Sequence, residues 1–308
     1  MRMRRSIALL CVILLLSGGA GAEEAANLGD FSEKFGHLFL EKGEPPVTDG
    51  LTYRSQDVYI QITSVRQSRT DIYIADIYVR SVENFQRAFA NNKWHSGTEK
   101  VKILSENNQA VLGMTGDNGH NLKAGIVIGN GQIWRRVSNG TRDICLLYRD
   151  GTLVTIEEQY IDHDGIRAQA DEGLIWQCFV FGPALLDENG KAKQKFNTNV
   201  RPANPRSVIG YYEPGHYCFV QVDGRGADSK LDPGNRSVGL TMDELSLFME
   251  SLGCKAAYNL DGGQSSMLYY DGEILSSPYQ NGRKAGDIVF IREIEETELS
   301  DNEDALAN

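Results

Sequence analysis

The stretch Ile144-Cys145-Leu146-Leu147-Tyr148-Arg149-Asp150-Gly151 runs five apolar or aromatic residues into a charged residue and an Asp-Gly pair. Five such residues in a row have strand composition. Asx-Gly is the strongest short hairpin signal, because both central residues must tolerate positive φ. The same pattern recurs along the chain. Val58–Ile62, Ile72–Val79 and Ala124–Ile128 read as strands, and Asn130-Gly131, Pro214-Gly215 and Asp271-Gly272 are further turn signals. Antiparallel hairpins should therefore dominate, which disfavours a purely parallel, doubly wound sheet.

Helices are fewer. The clearest begins at Thr241, whose capping box closes on Glu244; Leu245, Phe248, Met249 and Leu252 follow at helical spacing and Gly253 stops it. A second is expected after Ser81, with Val82, Phe85 and Phe89 on one face, and a third just before Val101. The predicted class is α+β: mixed, largely antiparallel sheets with a few packed helices in a single domain.

The 308 residues include 31 basic and 42 acidic side chains, a formal charge of −11 that argues against non-specific nucleic-acid binding. Arg2, Arg4 and Arg5 precede ten apolar residues, Ile7–Leu16, and then Ala20-Gly21-Ala22. That is the layout of a cleaved signal peptide, 1–22, implying a secreted, cell-surface or periplasmic protein; an uncleaved anchor is the alternative. Residues 23–50 read as a variable segment with a linker at Gly43-Glu44-Pro45-Pro46, 51–292 as the domain, and 293–308, with seven carboxylates, as a solvated tail. Cys145, Cys178, Cys218 and Cys254 lie in no metal-binding spacing, and buried free thiols are expected, although oxidation would allow three pairings. No cofactor, metal or protein partner is predicted, and membrane contact only through the signal.

Chemistry concentrates at strand exits. In Asn259-Leu260-Asp261-Gly262-Gly263-Gln264-Ser265-Ser266 a carboxylate meets two glycines, an amide and two hydroxyls. Consecutive backbone N–H groups there could cradle a phosphate, with Ser265 and Ser266 adding donors and Asp261 serving as a base. The same residues would also make a plain hydrogen-bonded turn. Thr115-Gly116-Asp117-Asn118-Gly119-His120, Pro205-Arg206-Ser207 and Val222-Asp223-Gly224-Arg225 have similar character, and a guanidinium such as that of Arg206 suits paired phosphate oxygens. Sequence alone does not bring these four segments together.

In these segments the chain resembles the phosphodiester glycosidase family over about residues 70–290. The resemblance runs in order through Tyr73–Tyr78, Gly116-Asp117, Gly125–Ile128 with Asn130-Gly131, Phe181–Leu185, Asn204–Arg206, Val222–Arg225, Gly239–Thr241 and Asn259–Gly263. It implies an exported hydrolase that cleaves a sugar-1-phosphodiester, such as an N-acetylglucosamine-1-phosphodiester, on a glycan or a nucleotide-sugar-like molecule. It implies too that Asp261, Asp117 and Arg206 are catalytic. Gly262, Gly263, Ser265, Ser266, Asp223, Arg225, Thr115 and His120 would be substrate-binding. Two positions depart from the family pattern: Gln264 replaces a third glycine, and Thr115–His120 lacks an amide and an aromatic ring. The alternatives are a catalytically silent glycan-binding module and a metal-assisted phosphodiesterase.

Leaving as a phosphate monoester, the aglycone needs little protonation, so stabilising its growing charge matters most. Arg206, the Gly262 and Gly263 amides and Ser265 are expected to do this, with Asp261 or Asp117 activating water. On that reading Arg206→Ala should cost at least ~10²-fold in kcat/KM and leave the fold intact.

Overall fold

The computed structural model describes residues 29–117, 125–136 and 142–294. The signal-like segment, His120 and all but the first residues of the acidic tail lie outside them. Three large sheets and a two-stranded ribbon, Ala227–Asp228 with Arg236–Ser237, make the fold among the described residues, and every strand pair there is antiparallel. With four α-helices among the described residues, the domain is of the α+β class.

The seven-stranded sheet runs, edge to edge, Val47–Asp49, Thr52–Arg54, Val58–Gln67, Thr70–Val79, His216–Val222, Arg206–Glu213 and Ala256–Asn259. Its strands His216–Val222 and Arg206–Glu213 are buried on both sides over most of their length, which is why they read as nearly unbroken apolar runs. Ile209, Tyr217, Phe219 and Tyr258 point into the main core. Val208, Val220, Val222 and Ala257, on the other face, pack with Leu245, Phe248 and Met249 of the helix Met242–Ser251. That helix carries the expected capping box, with Glu244 N donating to Thr241 Oγ1 at 3.2 Å and Thr241 N to Glu244 Oε2 at 2.9 Å. Gly253 follows at φ +80°.

A five-stranded sheet has the order Leu153–Ile156, Ile144–Tyr148, Ile175–Phe179, Ile126–Gly129, Gln132–Arg136. Another has Glu273–Ile274, Leu268–Tyr270, Leu112–Thr115, Asp287–Ile291, Phe85–Phe89. All four turn signals close hairpins, and at Asn130-Gly131 and Asp271-Gly272 both residues have positive φ.

Two helix expectations need correction. After Ser81 there is one 3₁₀ turn, Val82–Asn84, and then the strand Phe85–Phe89 paired with Asp287–Ile291. All five strand residues are buried, so no alternation marks the strand, and the chance spacing of Val82, Phe85 and Phe89 imitates a helix face. The third helix begins at Val101 and runs to Asn107.

The four cysteines 145, 178, 218 and 254 are buried and free. The chain before residue 51 also contributes to the core. Phe31, Phe35 and Phe39 are buried there, and the Phe31 ring lies against the Cα atoms of Gly151 and Gly215, where a Cβ would come within 2.4 and 2.6 Å of it.

Candidate active site

Strand register brings the glycine-rich loop to Arg206. Val208 pairs with Asn259, so the chain leaving Asn259 passes Pro205 and Arg206. Leu260 N donates to Ser207 O at 2.8 Å and Gly263 N to Pro205 O at 3.0 Å. The approach needs a missing side chain, because a Cβ on Gly262 would lie 2.5 Å from Pro205 O. On the other flank Arg206 pairs with Val222, which delivers Asp223 and Arg225. The exit of Leu112–Thr115 joins from the second five-stranded sheet, with Asp261 N donating to Gly116 O at 3.0 Å. All four singled-out segments thus meet at one place.

An open cleft of about 230 Å³ lies there, a little below the usual size of a drug-sized ligand pocket. Its lining holds three guanidiniums, Arg206, Arg225 and Arg283, against a single carboxylate, Asp261, among the described residues. On a chain of net charge −11 this is a local reversal of sign, and it suits an anion. Phe181 and Val200 give an apolar part of the wall, and Asn204, Asn259 and Gln264 a neutral polar part.

Asp261 is nearly buried. Burial raises its carboxyl above the ordinary range, while hydrogen bonds from Ser265 and Gly262 N–H and the charge of Arg283 pull the other way. Arg283 Nη2 stands 3.6 Å from Asp261 Oδ2, and Arg283 Nε donates to Ser265 Oγ at 2.6 Å. Arg206 is more deeply held. Its Nε donates to Leu240 O at 3.2 Å and its Nη2 to Val200 O and Pro202 O at 2.7 Å each, which leaves Nη1 as the free end of the fork. Burial, with the charge of Arg225 adding to it, pushes Arg206 down to about 10, still protonated at neutral pH. Arg225 has φ +57°; its Nε donates to Asn204 Oδ1 at 2.9 Å and its guanidinium rests against Gly263.

The other residues singled out from the sequence stand behind this wall. Asp117 is fully buried, and its carboxylate accepts Val180 N at 2.8 Å and Phe181 N at 2.8 Å. Burial pushes its carboxyl up to about 7, with Arg87 opposing and Asp287 adding to the rise. The buried Arg87 faces both carboxylates, at 3.4 Å from Asp117 and 2.6 Å from Asp287. Asp117 thereby fixes the backbone that presents Phe181. Thr115 Oγ1 donates to Ser265 O at 2.5 Å. Ser266 Oγ lies 3.0 Å from Ser207 Oγ and accepts from Gln221 Nε2 at 2.8 Å. Asp223 accepts Ser277 N at 3.0 Å on each oxygen.

The Gly262, Gly263 and Ser265 amides are engaged inside the protein. Gly262 N–H serves Asp261, Gly263 N–H serves Pro205 O, and Ser265 N–H turns back to Gly262 O at 3.3 Å. An anion would therefore be met chiefly by the guanidiniums. Arg283 was not singled out from the sequence, because Asn281-Gly282-Arg283-Lys284 has the composition of any polar surface turn.

Asp223 gives a pH prediction. Burial pushes its carboxyl up to about 8, with Asp71 adding to the rise. Raised folded values mean that Asp117 and Asp223 both take up protons on folding. Their stabilisation is fully present below the ordinary carboxylate range and is lost as pH rises through about 7 and about 8. Thermal unfolding followed from pH 5 to pH 9 should show a falling Tm. Asp223→Asn, which keeps an acceptor for Ser277, should flatten the fall near pH 8.

A largely antiparallel α+β scaffold with a cation-lined cavity beside a desolvated carboxylate defines the class: a protein built to handle an anionic small ligand. The comparisons with known proteins narrow this. The family model for phosphodiester glycosidases matches residues 105–292, and the chain belongs to this hydrolase family. The SPbeta prophage-derived uncharacterized protein YomE of Bacillus subtilis is 22% identical over 237 residues, covering 75% of this chain and 34% of that protein. The N-acetylglucosamine-1-phosphodiester alpha-N-acetylglucosaminidase of Bos taurus is 27% identical over 140 residues, covering 42% of this chain and 25% of that enzyme. The chain thus matches about a third and a quarter of the lengths of these two relatives. The catalytic domain of the zebrafish N-acetylglucosamine-1-phosphodiester alpha-N-acetylglucosaminidase, auto-inhibited by its pro-peptide, has the same fold. It superposes with TM-score 0.60 at 17% identity, over 83% of this chain and 87% of that one. A hypothetical protein from Synechocystis follows, with TM-score 0.57 at 14% identity, over 82% of this chain and 64% of that one.

Proposed function

We propose that the protein hydrolyses the glycosidic bond of a sugar-1-phosphodiester, with a sugar such as N-acetylglucosamine, releasing free sugar and a phosphate monoester. The observation that carries this is the placement of three guanidiniums and one desolvated carboxylate in a single cavity. The leaving monoester gains negative charge as the C–O bond breaks, and preorganised cations in a partly dry site can lower the barrier by several kcal/mol. Arg225, Arg283 and the free Nη1 of Arg206 take that part. Asp261 accepts a proton from the attacking water. Asp117 holds the Val180–Phe181 backbone from behind and acts by positioning. The basic, apolar and small-residue regions of 1–22 support action outside the cytoplasm.

The test is turnover of a sugar-1-phosphodiester and of a nucleotide-diphosphate sugar in ¹⁸O-water. Label in the free sugar is expected, and label in the phosphate would replace this mechanism with P–O cleavage. Saturable binding without product would favour a glycan-binding module. Arg225→Ala, at a surface-exposed side chain, should lower kcat/KM about 10²-fold and leave the unfolding transition unchanged.

A further inference from the structure

We propose that Asn259 binds the sugar end of the substrate, its side-chain oxygen accepting a hydroxyl or amide hydrogen of the ring; this rests on the cavity being a sugar-1-phosphodiester site. Asn259 is the last residue of the strand Ala256–Asn259, is buried, and lines the cavity. Its Nδ2 donates to Gly182 O and to Leu260 O at 3.0 Å each, which fixes the direction of the amide. Both donor hydrogens are thereby used. The oxygen of the same amide is buried and accepts nothing from the described residues. Native structures rarely leave a buried acceptor unpaired, and an orphan at a cavity wall points to a ligand donor.

Position along the strand adds to this. Asn259 ends the strand and Asp261 lies two residues beyond it, and both line the cavity. The cations gather further along the loop, Arg225 against Gly263 and Arg283 beside Asp261. Phe181, beside Gly182 in sequence, supplies an apolar ring backed by the Arg142 guanidinium at 5.3 Å. A sugar held at Asn259 would present its anomeric carbon to Asp261 with the phosphate toward the arginines.

The test removes the donor from the substrate and leaves the protein intact. The 2-, 3-, 4- and 6-deoxy forms of a sugar-1-phosphodiester are compared with the parent on the wild-type enzyme. One position is expected to cost 10- to 100-fold in kcat/KM. In Asn259→Ala that position should cost less than about 3-fold while the other ratios are unchanged, the signature of a coupled pair. Asn259→Asp, which keeps the acceptor, should retain the discrimination. Wild-type enzyme that turns over the parent but is indifferent to every deletion overturns the role of Asn259 and spares the reading of the site. Equal discrimination in Asn259→Ala overturns it in the same way. A parent neither bound nor turned over overturns both.

Discussion

Asp261→Asn is expected to fold normally and to lose about 10³-fold in kcat/KM, on the scale of removing a positioned general base. The fold should survive because the carboxamide oxygen can still accept the Gly262 and Ser265 hydrogens that the carboxylate accepts now. The neutral side chain has no basicity with which to take a proton from water. Burial raises the Asp261 carboxyl, so the acid limb of the wild-type pH–rate profile should lie above the ordinary carboxylate range. That limb should be absent from the residual activity of the variant. A profile with the same acid limb in both proteins would move the base elsewhere.

Arg206→Ala should cost both activity and stability. Sequence alone suggests that the fold would be unaffected, but the guanidinium ties three carbonyls, those of Leu240, Val200 and Pro202, to the start of the strand Arg206–Glu213. Leaving the buried Leu240 carbonyl without a partner costs about 1–3 kcal/mol. The Val200 and Pro202 carbonyls are only partly buried and water can replace the guanidinium there, so a loss of about 2 kcal/mol in denaturant unfolding is expected. The accompanying fall in kcat/KM should exceed ~10²-fold. The contrast with Arg225→Ala is the informative part, because only the buried arginine should register in both measurements. Unchanged stability in Arg206→Ala would mean that those carbonyls find other donors.

Much of the architecture is legible in the chain because local chemistry dictates it. Asx-Gly pairs force positive φ and so fix hairpins, and Thr241 with Glu244 satisfies the first amides of a helix in any context. Phe85–Phe89 was not legible. A strand buried on both faces has no polar alternation, and only its pairing with Asp287–Ile291, two hundred residues away, distinguishes it from a helix. The site divides along the same line. Glycines and carboxylates at strand exits marked loops that meet at the cavity, because close backbone approach needs residues without side chains. Which carboxylate faces the cavity depends on a remote partner. Asp117 is claimed by the Val180 and Phe181 amides, more than sixty residues later in the chain, while Asp261 is not. Arg283 and Asn259 acquire meaning only from what surrounds them.

The ring of Phe31 occupies the space that side chains at residues 151 and 215 would need, and those residues are the tips of hairpins in two different sheets. The amino-terminal arm therefore works as a peg through two eyelets. A cut at residue 22 would leave the peg seated, whereas a cut between Phe31 and Phe39 would sever it from the rest of the arm and leave the two hairpins joined by the Tyr217 hydroxyl on Gly151 O. How far this chain could be trimmed from its amino end is therefore set by an aromatic ring and two glycines.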